Sequence, residues 1–252
     1  MATKETKAAE PGTAVVTWRD KMAAVTKQAA SSEAPKGGFL SFKGGNMSYD
    51  DVPIPGNVLK VVVVDFLLEN AIFKEKYNPN KPASPMCYAF GRDEEDLAPH
   101  PDAPEPQNAD CATCPNNEWA SDPDGGRGKA CKNSRRIAIM TADVLDKGPE
   151  AIRKANIVMC KIPVTSIKNF SLFVNQCVQA LGTPPFGVIC ELSVKPHPTF
   201  LFQVHWKVLE KIEDEDVLQH ILAKHLAGEQ KMFQPYPVQE EEAAPAPRSK
   251  KF

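Results

Sequence analysis

Seven cysteines occur in the chain, and four of them are spaced as metal ligands. Cys111-Ala-Thr-Cys114 is a C-x2-C knuckle, a short turn in which two thiolates converge on one ion. Residues 115–130 separate the knuckle from Cys131, a spacing within the range of zinc ribbons. Cys87 lies upstream, at the end of an expected strand. Four thiolates match the tetrahedral preference of Zn2+ and leave no open coordination position, so the chemistry this set offers is structural. Three other readings of the same residues stand beside it: ordinary thiols in a loop, a redox C-x2-C pair, or ligands of an iron–sulfur cluster. The redox reading lacks a surrounding βαβ pattern. Burial alone does not explain four cysteines confined to a polar, core-poor segment. Cys160, Cys177 and Cys190 sit among apolar residues and read as core thiols.

The neighbours of the knuckle suit a metal. Pro115 and Asn116 follow it directly, and Gly125, Gly126 and Gly128 let the chain fold back. Arg127, Lys129, Lys132, Arg135 and Arg136 cluster around the last cysteine and can offset the charge of a tetrathiolate. In small zinc modules the free energy of metal binding, on the order of 10 kcal/mol, acts as folding energy.

Catalytic motifs are missing. The chain carries no phosphate-binding loop, no G-x-G-x-x-G after a strand and no H-E-x-x-H. His100, His197, His205, His220 and His225 are scattered, and only His100 lies where it could replace a cysteine ligand. The acidic run Glu213 to Asp216 reads as a solvated helix start. A non-enzymatic protein is expected, and a nuclease would need a carboxylate cluster at one end of a sheet.

Two sets of cations and rings suit single-stranded nucleic acid, in which cations hold phosphates and bases stack on rings at about 1–3 kcal/mol each. The first set is Lys60, Lys74, Lys76 and Lys81 with Phe73, Tyr77, Tyr88 and Phe90. The second is Trp119 with Arg127, Lys129, Lys132, Arg135 and Arg136. Tyr88 and Phe90 can equally be core residues beside the metal site, and Phe200, Phe202 and Trp206 read as core.

The segments CYAFG, CATCPNNEWAS and GRGKACKNSRR together resemble a family of small proteins from tailed-phage genomes that carry a C…CxxCPxNxWGS…GKGKACKxxRR signature. VVVVDFLLENAIFKEKYNPNKPASPMC upstream and KIPVTSIKNF…FGVICEL downstream are also similar, so the resemblance spans roughly residues 14–210. The chain departs from the signature at Ala120 and Arg127, where Gly and Lys are usual. The resemblance implies a phage DNA-metabolism protein that binds single-stranded DNA during replication or recombination, in the host cell cytoplasm. Phage single-strand binders with a zinc-bearing OB-fold are the nearest functional analogy. The rival reading is a zinc-ribbon protein-interaction module, such as a host-takeover or transcription factor.

The elements that must position these residues follow from pattern and composition. The chain has 252 residues, 42% hydrophobic, with a formal net charge of -2, so bulk charge implies no partner. No run of about 18 apolar residues is present and none resembles a signal peptide, so neither membrane nor secretion is expected, and the cysteines are expected to be reduced. Residues 1–36 read as a flexible arm with a possible helix at 14–30, whose Trp18, Met22, Val25 and Ala29 form a stripe suited to self-association. Residues 37–233 read as one domain with a metal-binding insertion at about 78–133. Strands are expected around Lys43–Asn46, at 58–66 continuing to Tyr77 after a bend at Glu69-Asn70, and at 134–141, 155–164, 186–194 and 199–212. A helix over 65–77 fits the same periodicity. Phe200, Phe202, Val204, Trp206 and Val208 are expected to share one face. Helices are expected at 165–182, capped by Thr165 or Ser166 and stopped by Gly182, and at 214–233. Residues 234–252 read as a disordered charged tail able to recruit replication or recombination proteins. The sum is a β-rich α+β protein, an OB-like Greek-key barrel with a zinc-ribbon insertion and two flanking helices.

Overall fold

The computed structural model describes residues 17–19, 21, 22, 25, 38–75 and 83–236, with the side chain of Gln230 excepted. The chain divides into two units, Met1–Gly37 and Gly38–Phe252. In the first, the described residues Trp18, Arg19, Lys21, Met22 and Val25 are helical, within the expected helix. Trp18, Met22 and Val25 are 70%, 58% and 61% exposed.

The second unit is built on one mixed sheet. Its strands are β1 (Phe39–Ser41), β2 (Ser48–Tyr49), β3 (Val52–Pro53), β4 (Val58–Ile72), β5 (Cys87–Gly91), β6 (Lys132–Thr141), β7 (Val158–Ile162), β8 (Val188–His197) and β9 (Leu201–Lys211). The order is β3-β2-β1-β7-β6-β4-β8-β9, with β5 also paired to β4. Only β1 and β7 run parallel. The sheet curls into an open half-barrel. Among the described residues of the unit lie three α-helices: α1 (Pro149–Lys154), α2 (Ile167–Asn175) and α3 (Glu215–Met232).

β4 organises everything else. Val61 to Val64 are β-branched and almost wholly buried, a run that only a strand covered on both faces can satisfy. Val61 and Val63 join Phe170, Phe173 and Trp206 on the α2 side. Val62, Val64 and Leu67 join Ile152, Ile221 and Met232 on the side of α1 and α3. β8 pairs with β4 only over Val58–Val61, and β5 only over Leu68–Ile72. Along the interval between them a bulge at Val63/Asp65 turns the polar Asp65 to the α3 side. There Arg92 grips both Asp65 oxygens at 2.9 and 3.0 Å, and His225 Nδ1 lies 2.9 Å from the Val64 carbonyl oxygen. The irregularity in β4 is therefore at Val64, not at Glu69-Asn70, and residues 65–72 of the alternative helix are strand, while residues 76 and 77 lie outside the described residues.

Other boundaries depart from expectation for local reasons. Neither Thr165 nor Ser166 caps α2; the Ser166 hydroxyl instead accepts from the Val204 backbone amide at 2.9 Å, tying α2 to β9. α2 runs into a π-helical turn over Gln176–Ala180, and Gly182 at φ +61° ends it as expected. Asp214 caps α3 by accepting from the amides of Asp216 and Val217. Phe202, Val204, Trp206 and Val208 share the core face, but Phe200 falls in the β8–β9 turn and is 47% exposed. The short helix α1 and the 3-10 segment Ala142–Lys147 before it carry too few residues to leave a periodic signal. The first residues of the expected tail are packed: Tyr236 lies against Tyr88 and Phe90. Residues 237–252 lie outside the described residues.

Candidate metal centre and the adjoining cleft

Strand register places two of the four cysteines. Ile72, the last residue of β4, pairs with Cys87 on one edge. On the other edge Ala71 pairs with Lys132, which brings the preceding Cys131 level with Ile72. Ile72, Cys87 and Cys131 form one small buried cluster. The insertion between β5 and β6 brings in the other two. The Cys111 amide donates to the Leu97 carbonyl at 2.8 Å, and the Cys131 amide donates to the Asn116 carbonyl at 2.8 Å. Asp110 accepts from the Thr113 amide at 2.7 Å, closing the knuckle turn.

All four cysteines are unbridged, all are buried, and all line one cavity of about 20 Å³ together with Asn70, Asn116 and Asn117. That volume suits one water-sized body. Among the described residues no group of three or more His, Cys, Asp or Glu side chains is placed so that it could hold a metal ion. The structure thus brings the four thiols to one cavity wall without setting them as ligands of an ion. His100 takes no part in the cavity wall; it stacks on Tyr88 at 5.2 Å.

Burial pushes the Cys87 and Cys111 thiols up and the Cys131 thiol up to about 12, where Cys111, Cys114 and Cys87 add to the effect and Lys129 opposes it. The Gln107 amide at Cys87 and the Asn70 side chain at Cys111 act the other way. Thiols held protonated must lose protons to bind a metal, so affinity should rise with pH. Of the five cations expected to offset the tetrathiolate, only Lys129 acts on the cysteines in this way. Lys132 pairs with Asp122 at 3.2 Å, Arg135 with Glu94 at 3.7 Å, and Arg136 faces the opposite side of the sheet, where it meets Glu69. Arg127 is exposed.

A layer of amides holds the knuckle in place. Asn133 Nδ2 donates to Asn70 Oδ1 at 2.6 Å and to Asn117 Oδ1 at 2.9 Å. Asn117 Nδ2 donates to the Cys111 carbonyl at 2.8 Å, and Lys129 Nζ donates to Asn117 Oδ1 at 3.2 Å. Ser121 accepts from the Ala130 amide and donates to the Asn116 carbonyl. The asparagines and serine of the PNNEWAS segment therefore each support the cavity, as outer partners of metal ligands do. Ala120, where the resembled signature has Gly, sits at φ +64°. An L-residue with a Cβ is strained there. Replacing Ala120 with Gly is expected to raise stability by about 0.5–1 kcal/mol in chemical denaturation, the relief of strain exceeding the entropy glycine adds to the unfolded chain.

The other face of the same strand ends carries a cleft of about 960 Å³. Five cations line it, Lys74, Lys132, Arg136, Lys161 and Lys231, against four carboxylates, Glu69, Glu75, Asp122 and Asp124. Phe39 and Phe73, 46% and 37% exposed, stand in its walls. Its floor is Glu69, a 1% exposed carboxylate in a largely apolar strand. Lys161 Nζ donates to Glu69 Oε1 at 2.5 Å, Arg136 Nε donates to Oε2 at 3.2 Å, and the Tyr236 hydroxyl donates to Oε1. Burial pushes the Glu69 carboxyl up, but Lys161, Arg136 and the hydrogen bonds from Lys161 and Tyr236 outweigh it and hold the group below the usual carboxylate range. The insertion supplies one wall through Asp122 to Asp124, Ala130 and Lys132.

The residues expected to bind nucleic acid separate into groups. Lys74, Lys132 and Arg136 meet in the cleft. Trp119 is 78% exposed on the insertion with Lys129 5.5 Å from its ring centroid. Tyr88 is corrected to the core: it is 2% exposed and packed by Phe90, His100 and Tyr236, so no base can stack on it. Lys60 sits at the far end of β4 opposite Glu191, away from both groups. Arg135 is held to Glu94 and to the Ser134 carbonyl. Lys76, Tyr77 and Lys81 lie outside the described residues. Glu69, Lys161, Lys231 and Tyr236 went unread. The legible signal was the charge: Asp65 and Glu69 inside VVVVDFLLENAI and Lys161 inside IVMCKIPV are ions in largely apolar strands, which demand partners.

A scan against protein-family models, a search of curated proteins and a search of solved structures each find no match to this chain.

Proposed function

We propose that the chain is a non-enzymatic binder of single-stranded DNA whose strand lies in the cleft, and that one structural Zn2+ held by Cys87, Cys111, Cys114 and Cys131 fixes the insertion that walls it. The resemblance to tailed-phage proteins supports a place in phage DNA replication or recombination in the host cytoplasm. The curled open sheet is compatible with an OB-like barrel, with the insertion as its zinc ribbon. The observation that carries the reading is the convergence of five cations and two part-exposed phenylalanines in one cleft, backed by the cysteine-lined cavity. Rings and cations at close quarters are what sequence-tolerant strand binding requires. A cavity for one water-sized body favours a single ion over an iron–sulfur cluster.

The cleft's carboxylates limit the electrostatic share. Engaging three to five phosphates at about 0.7 counterions each gives a log–log salt slope of about −2 to −3.5. Anisotropy of a fluorescein-labelled oligo-dT with the metal-loaded protein measures it. Replacing Phe73 with Ala is expected to weaken binding about five- to tenfold, at the lower end of the worth of one stacked base. No binding at low salt rejects the reading. Trp119 keeps the interaction-module alternative in view: a ring so exposed on a braced loop also suits protein docking. If Trp119→Ala leaves oligonucleotide binding intact but abolishes capture of a host polymerase subunit, that alternative holds for the insertion.

A further inference from the structure

The cleft is partly filled by the chain's own residues. After α3 the backbone turns at Phe233 and lays Gln234–Tyr236 along the cleft floor. Arg136 Nη1 donates to the Met232 carbonyl at 3.0 Å and to the Gln234 carbonyl at 2.8 Å. The same guanidinium lies 3.8 Å from the Phe90 ring centroid and 5.3 Å from that of Tyr236. The Tyr236 ring meets Tyr88 edge-on at 5.1 Å and Phe90 at 6.1 Å, and its hydroxyl donates to Glu69. Lys161 Nζ reaches the same hydroxyl at 3.3 Å. Gln234, Pro235 and Tyr236 all line the cleft.

Each of these contacts is of a kind that a nucleotide makes. A base offers a flat ring for Phe90 and Arg136 and an edge N–H for Glu69; its carbonyl or phosphate oxygens offer acceptors for Arg136 and Lys161. The buried Tyr88 hydroxyl beneath the strap faces the Tyr236 backbone. We propose that the Glu69–Arg136–Phe90 floor is a nucleobase subsite, that Tyr236 occupies it in the free protein, and that a base of the bound strand displaces the Gln234–Tyr236 strap. This rests on the single-strand reading of the cleft. Displacement frees Arg136 Nη1 from two carbonyls, so the strap and the strand compete for one cation and one stacking position. A strap that must leave lowers apparent affinity by the fraction of molecules in which it is bound.

The test uses the full-length, metal-loaded chain and a labelled oligo-dT at low salt. Tyr236→Ala is expected to bind about three- to tenfold more tightly than wild type, and Tyr236→Phe, which keeps the ring and loses the hydroxyl, to fall between them. Equal or weaker binding by a folded Tyr236→Ala overturns the subsite. Should that variant fold poorly, hydrogen exchange on the wild type decides: the Gln234 and Tyr236 amides are expected to exchange faster when the oligonucleotide is added, and unchanged or slower exchange overturns the proposal. No binding by wild type or either variant rejects the single-strand reading itself, and the subsite with it.

Discussion

Replacing Cys131 with Ser is expected to abolish binding of the proposed zinc ion and to lower the thermal midpoint by about 10 °C or more. Cys131 links the insertion to β6 and stands level with Cys87 across Ile72. Losing one of four thiolates forfeits most of the affinity that this site contributes to folding. About 4 kcal/mol of that loss corresponds to about 10 °C at this chain length. Hydrogen exchange should quicken across residues 86–131 while β7, β8 and β9 keep their protection. Replacing Cys177, a core thiol lining no part of the cysteine cavity, with Ala should retain the metal and cost only about 1 kcal/mol. Oligonucleotide binding should fall with metal content, because Asp122 to Asp124, Ala130 and Lys132 form a cleft wall from within the same insertion or at its end. A Cys131→Ser protein that melts with the wild type would remove the insertion's reason for folding.

The second large effect lies on the opposite face. Glu69→Gln keeps the shape of the side chain but leaves Lys161 and Arg136 without their buried counter-charge. Breaking a buried ion pair from one side costs about 3–5 kcal/mol, and urea unfolding should show a loss in that range. The pH dependence has a defined sign. Glu69 is held below its unfolded value of about 4.3, so its contribution is fully present above that pH and is lost as pH falls through the lower folded value. Wild type should therefore lose stability on acidification below about pH 4 more steeply than Glu69→Gln, which has no carboxyl to protonate. Parallel acid limbs for the two proteins would show that Glu69 is not the group being titrated.

How much of this was legible beforehand depended on the length and regularity of each signal. The four valines at 61–64 and the Cys111–Cys114 knuckle are local patterns, and they marked the central strand and the insertion. The bulge at Val64 was not legible, because its cause is the ion pair of Asp65 with Arg92, twenty-seven residues away, and the His225 contact from α3. Tyr88 and Phe90 were ambiguous because alternation along a short strand does not say which face is covered. The packing of His100 and Tyr236 decides it. The supporting amides Asn70 and Asn133 come from β4 and β6, and only strand register brings them beside the knuckle. Tyr236 was hidden for a different reason. The Pro-, Ala- and charge-rich composition of residues 234–252 argues for disorder as a whole and masks one anchoring ring near its start.

The tetrathiolate ion is most directly tested by X-ray absorption at the zinc edge on the full-length protein, purified without added metal. One zinc per chain with four sulfur neighbours at about 2.3 Å is the expected result. A chain free of metal, or a first shell containing nitrogen or oxygen in place of any of the four sulfurs, would contradict it.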